Sequence, residues 1–369
     1  MKKFIDQFSR FFVGGLFIFS GLIKLNDPVG TEIKMEEYFH VFAADFGSFF
    51  TYFVPFAMEI GMLLIVLEVV LGVAVLIQYQ MKITTSALLV LLIFFTFLTF
   101  YSAFFNKVTD CGCFGDAIKL TPWQSFSKDI ILMVFVLHLF WYRKDYQQTL
   151  NSQIGHAVIV VVTALCFYLG IHAVRHLPFI DFRAYKIGNT IPQQMQPPEQ
   201  PVFEYTFQQK KDGAIITSEK YLMDTTLYKY VAVMQVNPDK TKPKITDYAV
   251  STAEGDDVTQ NTFEGAKLLF VLYDVSHTSV KNMPLIRELV KDLDGKVEMM
   301  VLTASGTEQV EAFRHAQQFA VPYYFADATV LKTIVRANPG ITLWQDGTVK
   351  GMWHHNDTPT AEEVLQLLK

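Results

Sequence analysis

The chain has 369 residues, enough for two domains, with a formal net charge of −5 and 51% hydrophobic residues. The acidic balance and the lack of a basic stripe argue against nucleic acid as a partner. Three cysteines are too few for a small scaffold held together by disulfides. Nearly all the long apolar runs precede residue 175, so we expect a membrane part followed by a water-exposed part.

Five apolar segments are long enough to cross a bilayer, which takes about 20 residues each. They cover about residues 8–25, 52–77, 83–105, 122–142 and 154–174. Thr121, Pro122 and Gln124 form the pattern of a capping box with proline at the first helical position, which predicts where the fourth span begins. Lys24 and Pro28 close the first run where a cleavage site would be needed, so we expect this span to be retained.

An apolar stripe lies between the first two spans, where Met35, Phe39, Phe42 and Phe46 recur at helical spacing. Two interpretations fit this stripe. The helix lies on the membrane surface, or it packs on the next span.

Loop charge predicts the orientation. With the N-terminus in the cytoplasm, the inner loops carry six basic residues and the outer loops four, which is the direction of the positive-inside rule. The inner set is Lys2, Lys3, Arg10, Lys82, Arg143 and Lys144, and the outer set is Lys34, Lys107, Lys119 and Lys128. Five spans then put the loop between the third and fourth spans outside, together with the C-terminal part. In a bacterium that side is the periplasm, where disulfides persist.

Two of the cysteines, Cys111 and Cys113, lie one residue apart in that loop, separated by Gly112. A pair this close forms a disulfide only in a tight turn, for which Gly112 supplies backbone freedom. A redox-active pair, a structural disulfide and a metal site are the alternatives, and two thiolates do not complete a tetrahedral zinc site. Asp110 and Asp116 disfavour a thiolate, and Lys107 and Lys119 partly offset them.

Lys24, Glu59 and Glu68 are ionisable residues within the predicted spans. Such residues are functional candidates, or else polar contacts that hold helices together. Glu59 and Glu68 are nine residues apart and therefore point to opposite faces of a helix, so they cannot form one acid pair. Lys24 can pair with one of them. Cys166, in the fifth span, is expected to be a buried apolar residue.

The C-terminal part begins with a linker rich in Pro and Gln over residues 176–201. Short strands and turns follow up to residue 260. From residue 267 strands and helices alternate: strands over 268–273, 297–302, 341–344 and 349–353, with helices over 283–293, 308–319 and 360–368. This alternation predicts a mixed α/β sheet.

The membrane half resembles the DoxX-like family and its MauE branch in particular. The resemblance is carried by Ser20-Gly21-Leu22-Ile23-Lys24 with Asp27-Pro28, by Glu68 with Leu71-Gly72, and by Asp110-Cys111-Gly112-Cys113-Phe114-Gly115. MauE-type proteins have four spans and are associated with maturation of a disulfide-rich periplasmic enzyme subunit, alongside a thioredoxin-like partner. The resemblance implies that the fifth span is an added tether.

Residues 245–369 resemble a thioredoxin-like domain of the TlpA type, which has its active cysteines after a buried strand and before a helix that opens with Met-Pro. Met283 and Pro284 match that helix start, and Ser276 and Ser279 occupy the two cysteine positions. Pro339 matches the cis-proline beside the active site of that fold. The resemblance thus implies a domain that binds or positions a partner, since a hydroxyl cannot exchange disulfides.

We therefore expect a multi-domain chain in a bacterial inner membrane. The expected parts are a transmembrane bundle over 1–150, a fifth span and linker over 151–200, and a periplasmic thioredoxin-like domain over 201–369. The expected function is assistance in disulfide handling or maturation of an exported protein through Cys111 and Cys113, as an accessory to thiol–disulfide oxidoreduction. Membrane lipid and a periplasmic client or thiol-redox partner are the expected partners, without a metal or cofactor.

Two other functions stay open. One is a non-catalytic assembly or scaffold protein, in which a disulfide only holds the outer loop. The other is a quinone-linked redox or transport role, which would use Glu59 or Glu68, although no motif supports a quinone site.

Overall fold

The computed structural model describes residues 2–108, 112 and 114–369, and the chain divides into two compact units, Met1–Arg183 and Ala184–Lys369. The fifth apolar helix belongs to the first unit. Residues from 184 onward belong to the second unit, because Ile191 donates its backbone N–H to Gly347 over 2.8 Å and the Tyr185 ring stacks on Trp344. The segment expected as one linker thus has its second half built into the α/β unit.

The first unit is helical. Its α-helices are α1 Lys2–Asn26, α2 Pro28–Phe46, α3 Ala57–Leu76, α4 Met81–Phe105, α5 Pro122–Trp141 and α6 Ser152–Arg175, and a 3₁₀ segment Ser48–Phe56 precedes α3. Among the described residues, five helical stretches are long and apolar enough to span a membrane: α1, the 3₁₀ segment with α3, α4, α5 and α6. A multi-pass membrane protein is therefore confirmed.

The predicted start of α5 is confirmed in atomic detail. The Thr121 hydroxyl accepts from the Gln124 backbone N–H at 3.3 Å, and the Gln124 side chain accepts from the Thr121 N–H at 2.9 Å. Pro122 occupies the first helical position. Three residues therefore determine where the fourth span begins.

Helices α1 and α3 approach each other at glycines. A Cβ atom on Gly72 would lie 2.9 Å from the Gly14 carbonyl oxygen, and one on Gly14 would lie 2.9 Å from the Gly72 carbonyl oxygen. Small residues allow two membrane helices this close approach. The contact aligns the two helices so that side chains farther along them can meet.

Helix α2 is packed against the bundle. Met35 and Phe39 are buried with Ala57 of α3, and Phe42 is buried in a cluster with Tyr101 of α4. Of the two interpretations for its apolar stripe, packing on the following helices therefore accounts for most of it, while Phe46 at its end is 59% exposed.

An apolar layer fills the middle of the bundle. Its buried members come from α1, α3, α4 and α5: Val13, Phe17, Leu71, Val75, Leu88, Leu91, Leu92, Leu132, Val136 and Leu139. This layer separates two ends of the bundle that carry polar groups.

The second unit is α/β. Its α-helices are α7 Ile191–Gln194, α8 Met283–Leu293, α9 Thr307–Gln317, α10 Ala328–Ile334 and α11 Ala361–Gln366. Its strands are β1 Phe203–Gln209, β2 Ile215–Ser218, β3 Tyr228–Gln235, β4 Ala266–Leu272, β5 Glu298–Thr303, β6 Tyr323–Phe325, β7 Gly340–Gln345 and β8 Thr348–His354. The predicted mixed α/β class is confirmed.

Two sheets form this unit. The larger has the order β6-β5-β4-β7-β8, in which β4 is parallel to β5 and antiparallel to β7. Its central strand β4 is buried along nearly its whole length: Leu268, Phe270 and Leu272 share a buried cluster with residues of α8 and α11, and α10 also contacts the strand. The smaller sheet is antiparallel, with the order β2-β1-β3.

Candidate functional site

A buried ion pair joins α1 to α3. Lys24 Nζ lies 2.5 Å from Glu68 Oε1, and the Ser20 hydroxyl donates to Glu68 Oε2 at 3.0 Å. The Glu68 side chain is 2% exposed and that of Lys24 is 11% exposed. Lys24 Nζ is also 4.9 Å from the centroid of the Phe95 ring on α4. Both carboxylate oxygens have partners, as a buried charge requires.

A second buried carboxylate, Asp129, links α4 to α5. It accepts from the Thr99 hydroxyl at 2.8 Å and from Lys128 Nζ at 2.7 Å, and its side chain is 1% exposed. The Thr99 hydroxyl oxygen also lies 3.1 Å from the backbone carbonyl oxygen of Phe95, whose ring contacts Lys24. The two carboxylate sites are therefore neighbours along α4.

Sequence reasoning missed Asp129. The available signal was its position inside the fourth predicted span, where an ionisable residue is costly and is usually paired. Lys128 was counted only as loop charge, although it lies within α5. Ser125, one turn earlier on the same helix, is 1% exposed, and its hydroxyl has no hydrogen-bond partner in the part of the chain that the structure describes.

The loop between α4 and α5 packs onto this end of the bundle. The Phe114 ring is 7% exposed, 5.6 Å from the Phe19 ring and 5.5 Å from Lys128 Nζ. Gly115, at φ +50°, faces Ile23, and Gly112, at φ +63°, faces Lys34 of α2. The loop thus contacts α1, α2 and α5 beside the buried charges.

Cys111 and Cys113, the predicted thiol pair, lie outside the described residues. Cys166 of α6 is free and 3% exposed, packed among Leu25, Met62 and Ile65. Its predicted role as a buried apolar residue is confirmed.

Of the candidates Lys24, Glu59 and Glu68, the structure brings Lys24 and Glu68 together. Glu59 lies in the first turn of α3 with an exposed side chain. A negative charge there is favoured by the partial positive charge at a helix N-terminus.

A further polar group lies at the opposite end of the bundle. His138 Nε2 is 2.7 Å from Asp6 Oδ1, to which the Tyr146 hydroxyl also donates at 3.2 Å. Arg10 donates to the carbonyl of Leu76 at 2.6 Å. The apolar layer containing Leu71 and Leu132 lies between this group and the two buried carboxylates.

In the second unit, Ser276 lies in a short 3₁₀ turn, Val275–His277, after β4. Asp274 accepts from the Ser276 hydroxyl at 2.6 Å, and its other oxygen is 2.7 Å from His277 Nδ1. Burial opposes ionisation of Asp274, but the hydrogen bonds from Ser276 and His277 outweigh it and hold the pKa of this carboxyl below its usual value.

These three residues do not form a hydrolytic triad. The Ser276 hydroxyl is 3.1 Å from His277 Nδ1, the same nitrogen that faces Asp274. In a triad the acid and the nucleophile face different ring nitrogens, so that the acid holds one N–H while the other nitrogen takes the proton of the nucleophile. The arrangement instead caps the turn.

Ser279 and Pro339 meet at the same edge of the sheet. The Ser279 backbone N–H donates to the Asn338 carbonyl at 2.9 Å, and the Asn338–Pro339 peptide bond is cis. The Asn338 side chain accepts from the Thr278 hydroxyl at 2.9 Å and donates to the Asp274 carbonyl at 2.7 Å. The loop that carries both serines is thus tied to the segment before β7.

His355 lies beside this segment. Its ring hydrogen-bonds to the backbone carbonyl of Pro339, while its Nδ1 is buried with no hydrogen-bond partner among the residues that the structure describes. Burial lowers the pKa of His355 below its usual value. Among the described residues, no three His, Cys, Asp or Glu side chains come together in a way that could hold a metal ion.

Residues 2–142 match the family model of the methylamine utilisation protein MauE. The matched region covers α1 to α5, which includes both buried carboxylates and the loop with the cysteines. The membrane part is therefore MauE-like. No curated protein matches the chain.

Proposed function

We propose that the chain is an accessory protein of the bacterial inner membrane that assists disulfide handling or maturation of an exported protein. Cys111 and Cys113 are the thiol pair, and the second unit is periplasmic. The observation that carries the proposal is the setting of the loop. Gly112 and Phe114, on either side of Cys113, pack against helices that carry paired charges at that end of the bundle. The MauE-like membrane part supports an accessory role.

The proposed chemistry is exchange with a protein dithiol. A partner thiolate attacks the Cys111–Cys113 disulfide, one sulfur leaves as a thiolate, and a mixed disulfide forms. The second partner thiolate then displaces the loop sulfur. The partner dithiol is oxidised, the loop pair gains two electrons and takes up two protons from water, and the reverse exchange with a partner disulfide restores the pair.

The second unit is proposed to be a thioredoxin-like domain that binds the client or partner. Its order of β4, α8 and β5, followed by the hairpin of β7 and β8 and then α11, supports this fold. Ser276 and Ser279 stand where that fold has its cysteines. Their loop is tied to the segment before β7 by hydrogen bonds of Asn338, which suits a rigid binding surface.

Trapping tests the proposed exchange. In the full chain, Cys111→Ser and Cys113→Ser each leave one thiol that cannot complete the exchange, so one of them is expected to accumulate a mixed disulfide with an exported protein. Cys166→Ala is the matched control: Cys166 is buried, and its removal leaves both Cys111 and Cys113 in place, so this variant should trap nothing. If neither single variant captures a partner and the pair stays oxidised in cells at all times, the scaffold alternative with a structural disulfide replaces this proposal.

A further inference from the structure

The smaller sheet of the second unit carries most of the exposed apolar surface of that unit. Of the fifteen large apolar side chains that the described residues of the second unit leave exposed, eleven lie between residues 202 and 236. They are Val202, Phe203, Ile215, Tyr221, Met223, Leu227, Tyr230, Val231, Val233, Met234 and Val236. Apolar surface concentrated in this way marks a site of association with another molecule.

The two edges of this sheet differ. At one edge β2 has only four residues and is flanked by charged side chains, Asp212 before it and Glu219 and Lys220 after it. Short strands and nearby charges protect a sheet edge from pairing with another chain. At the other edge β3 has eight residues, of which only Lys229 is charged. The open edge of β3 is therefore the less protected of the two.

This edge has no backbone partner in the part of the chain that the structure describes. Apart from the ladder with β1, residues 229–235 make no backbone hydrogen bond to another segment there. Thr206 and Phe207 of β1 face Ala232 and Tyr230 of β3, so Val231 is the extra residue of a β-bulge. The bulge interrupts the edge, and the regular part available for pairing begins at residue 232.

One hydrogen bond shows which backbone groups of this part point outward. Val236 donates its N–H to the Val202 carbonyl at 2.9 Å, on the β1 side. The backbone groups of alternate residues in a strand point to opposite sides. Those of Met234 therefore point to β1, whereas those of Val233 and Gln235 point to the open edge.

Charge and hydrogen bonding both argue against the bilayer as the molecule that covers this surface. Residues 202–236 contain four lysines and four acidic residues, so they have no basic excess to attract anionic lipid. An open sheet edge placed in hydrocarbon would leave the outward N–H and C=O groups without partners. A protein strand satisfies these groups, because it supplies a donor and an acceptor for each outward residue.

The same charge balance fits a second copy of this chain. An interface with two-fold symmetry places one patch against itself, so a patch with a strong net charge would repel its copy. This patch has no net charge, and residues 232–236 contain no charged residue. Both copies are also anchored in one membrane, which raises their effective concentration for each other.

We propose that residues 232–236 pair antiparallel with the same residues of a second copy, about a two-fold axis at Met234. Val233 of each copy then exchanges backbone hydrogen bonds with Gln235 of the other. Ala232 lies opposite Val236, and the two Met234 side chains face each other. The proposal goes beyond the proposed function, since it makes no use of the cysteines.

Crosslinking tests the register. In this pairing the two Met234 residues form a non-hydrogen-bonded pair, whose Cα atoms lie about 4.5 Å apart, close enough for a disulfide. The full chain carrying Cys111→Ser, Cys113→Ser and Cys166→Ala is placed in lipid vesicles. Adding Met234→Cys should then give a disulfide-linked dimer under mild oxidation. Ile215→Cys on the protected β2 edge is the matched control, because its side chain is 69% exposed against 61% for Met234, and it should stay monomeric.

Charge exchange tests the association itself, by energy transfer between labelled copies of the full chain in vesicles. Met234→Lys should weaken the association by roughly fivefold to tenfold, because an apolar contact is lost and like charges face each other. Met234→Glu should do the same, and a mixture of the two variants should restore energy transfer. This rescue also shows that both variants are folded. Ile215→Lys should leave the association unchanged.

Three results would overturn the proposal. One is a Met234→Cys variant that crosslinks no more than Ile215→Cys, and another is a mixture of the Lys and Glu variants that stays monomeric. The third is a different covering molecule. Quenching of a fluorophore at residue 234 by brominated lipid tails would assign the patch to the bilayer, and crosslinking only to another protein would assign it to a client. Trapping through Cys111 and Cys113 is unaffected by any of these results.

Discussion

Glu68 is a carboxylate in the interior of a membrane bundle, and its stability depends on Lys24 and Ser20 together. The ammonium supplies charge compensation and the hydroxyl supplies a hydrogen bond to the second oxygen. Removing charges from water is costly, so the pair adds little net stability compared with apolar residues of similar size. Either partner left alone would be an uncompensated buried charge that destabilises the fold, so the pair is sensitive to single substitutions.

We therefore expect Lys24→Met to destabilise the purified protein by about 3–5 kcal/mol, because it leaves Glu68 buried without a counter-ion. The double variant Lys24→Met with Glu68→Leu should recover most of that loss. Denaturant titration in detergent micelles measures both values. Glu59→Gln is the control at an exposed carboxylate and should cost less than about 0.5 kcal/mol. A double variant as unstable as the single one would contradict this account.

His355 is expected to make the stability of the second unit depend on pH. Its protonated form would place an N–H at the buried Nδ1, where none of the described residues offers an acceptor. Its pKa in the folded state is lowered, so the unfolded state binds more protons as the pH falls. The stabilisation by neutral His355 is therefore complete above the ordinary histidine pKa of about 6.5 and is lost as the pH drops below it.

The measurement is the melting temperature of the full chain between about pH 7.5 and pH 5. The unsubstituted protein should lose melting temperature more steeply towards acid than His355→Gln does. His315→Gln, at a side chain that is 87% exposed, should keep the steeper slope. If melting temperature falls equally with pH in the unsubstituted protein and in His355→Gln, then protonation of His355 does not lower the stability.

Single residues also mark the limit of prediction from sequence. A charged side chain inside a membrane is energetically costly, and this rule identified Lys24 and Glu68 as candidates. Applied to Asp129, the same rule would have found the second buried carboxylate. Which partner each charge has depends on how helices distant in sequence are rotated against each other. Periodicity describes one helix at a time, so the choice of Glu68 over Glu59 for Lys24 came only from the structure.

At the scale of elements, long apolar helices and buried strands were predicted well. The boundaries of α5 followed from Thr121 and from the end of its apolar run, and α8 spans the predicted residues 283–293. The short elements β6 and α10 were missed, because three and seven residues are too few to show a period. For α2, the stripe alone could not distinguish lipid from a neighbouring helix as the surface that covers it.

The glycine contact between α1 and α3 leads to a prediction at this scale. Gly72→Leu should push the helices apart and destabilise the protein by at least about 1–3 kcal/mol, because its side chain meets the Gly14 backbone. Gly15→Leu is the matched control, since nothing lies within 4 Å of its Cβ position. Denaturant titration of both variants measures the difference, and equal stability would show that the close approach is not required.

At the scale of the whole molecule, the five candidate spans among the described residues are an odd number, which predicts that the two ends of the chain lie on opposite sides of the membrane. We expect reporter tags near residue 118 and after residue 369 to be accessible from outside the cell membrane. A tag between α5 and α6, near residue 147, should be accessible only from the cytoplasm. Protease protection in spheroplasts measures this. A cytoplasmic location for residue 118 would contradict the proposed orientation.

The apolar layer through the middle of the bundle has a consequence for the electrical potential across the membrane. Exchange between thiols and disulfides moves protons to and from water, and both ends of this bundle carry groups able to bind them. Val13, Leu71, Leu132 and Val136 separate those ends with side chains that offer a proton nothing to bind. In the proposed role, this layer would therefore let thiol–disulfide exchange at one face proceed without a proton leak across the membrane.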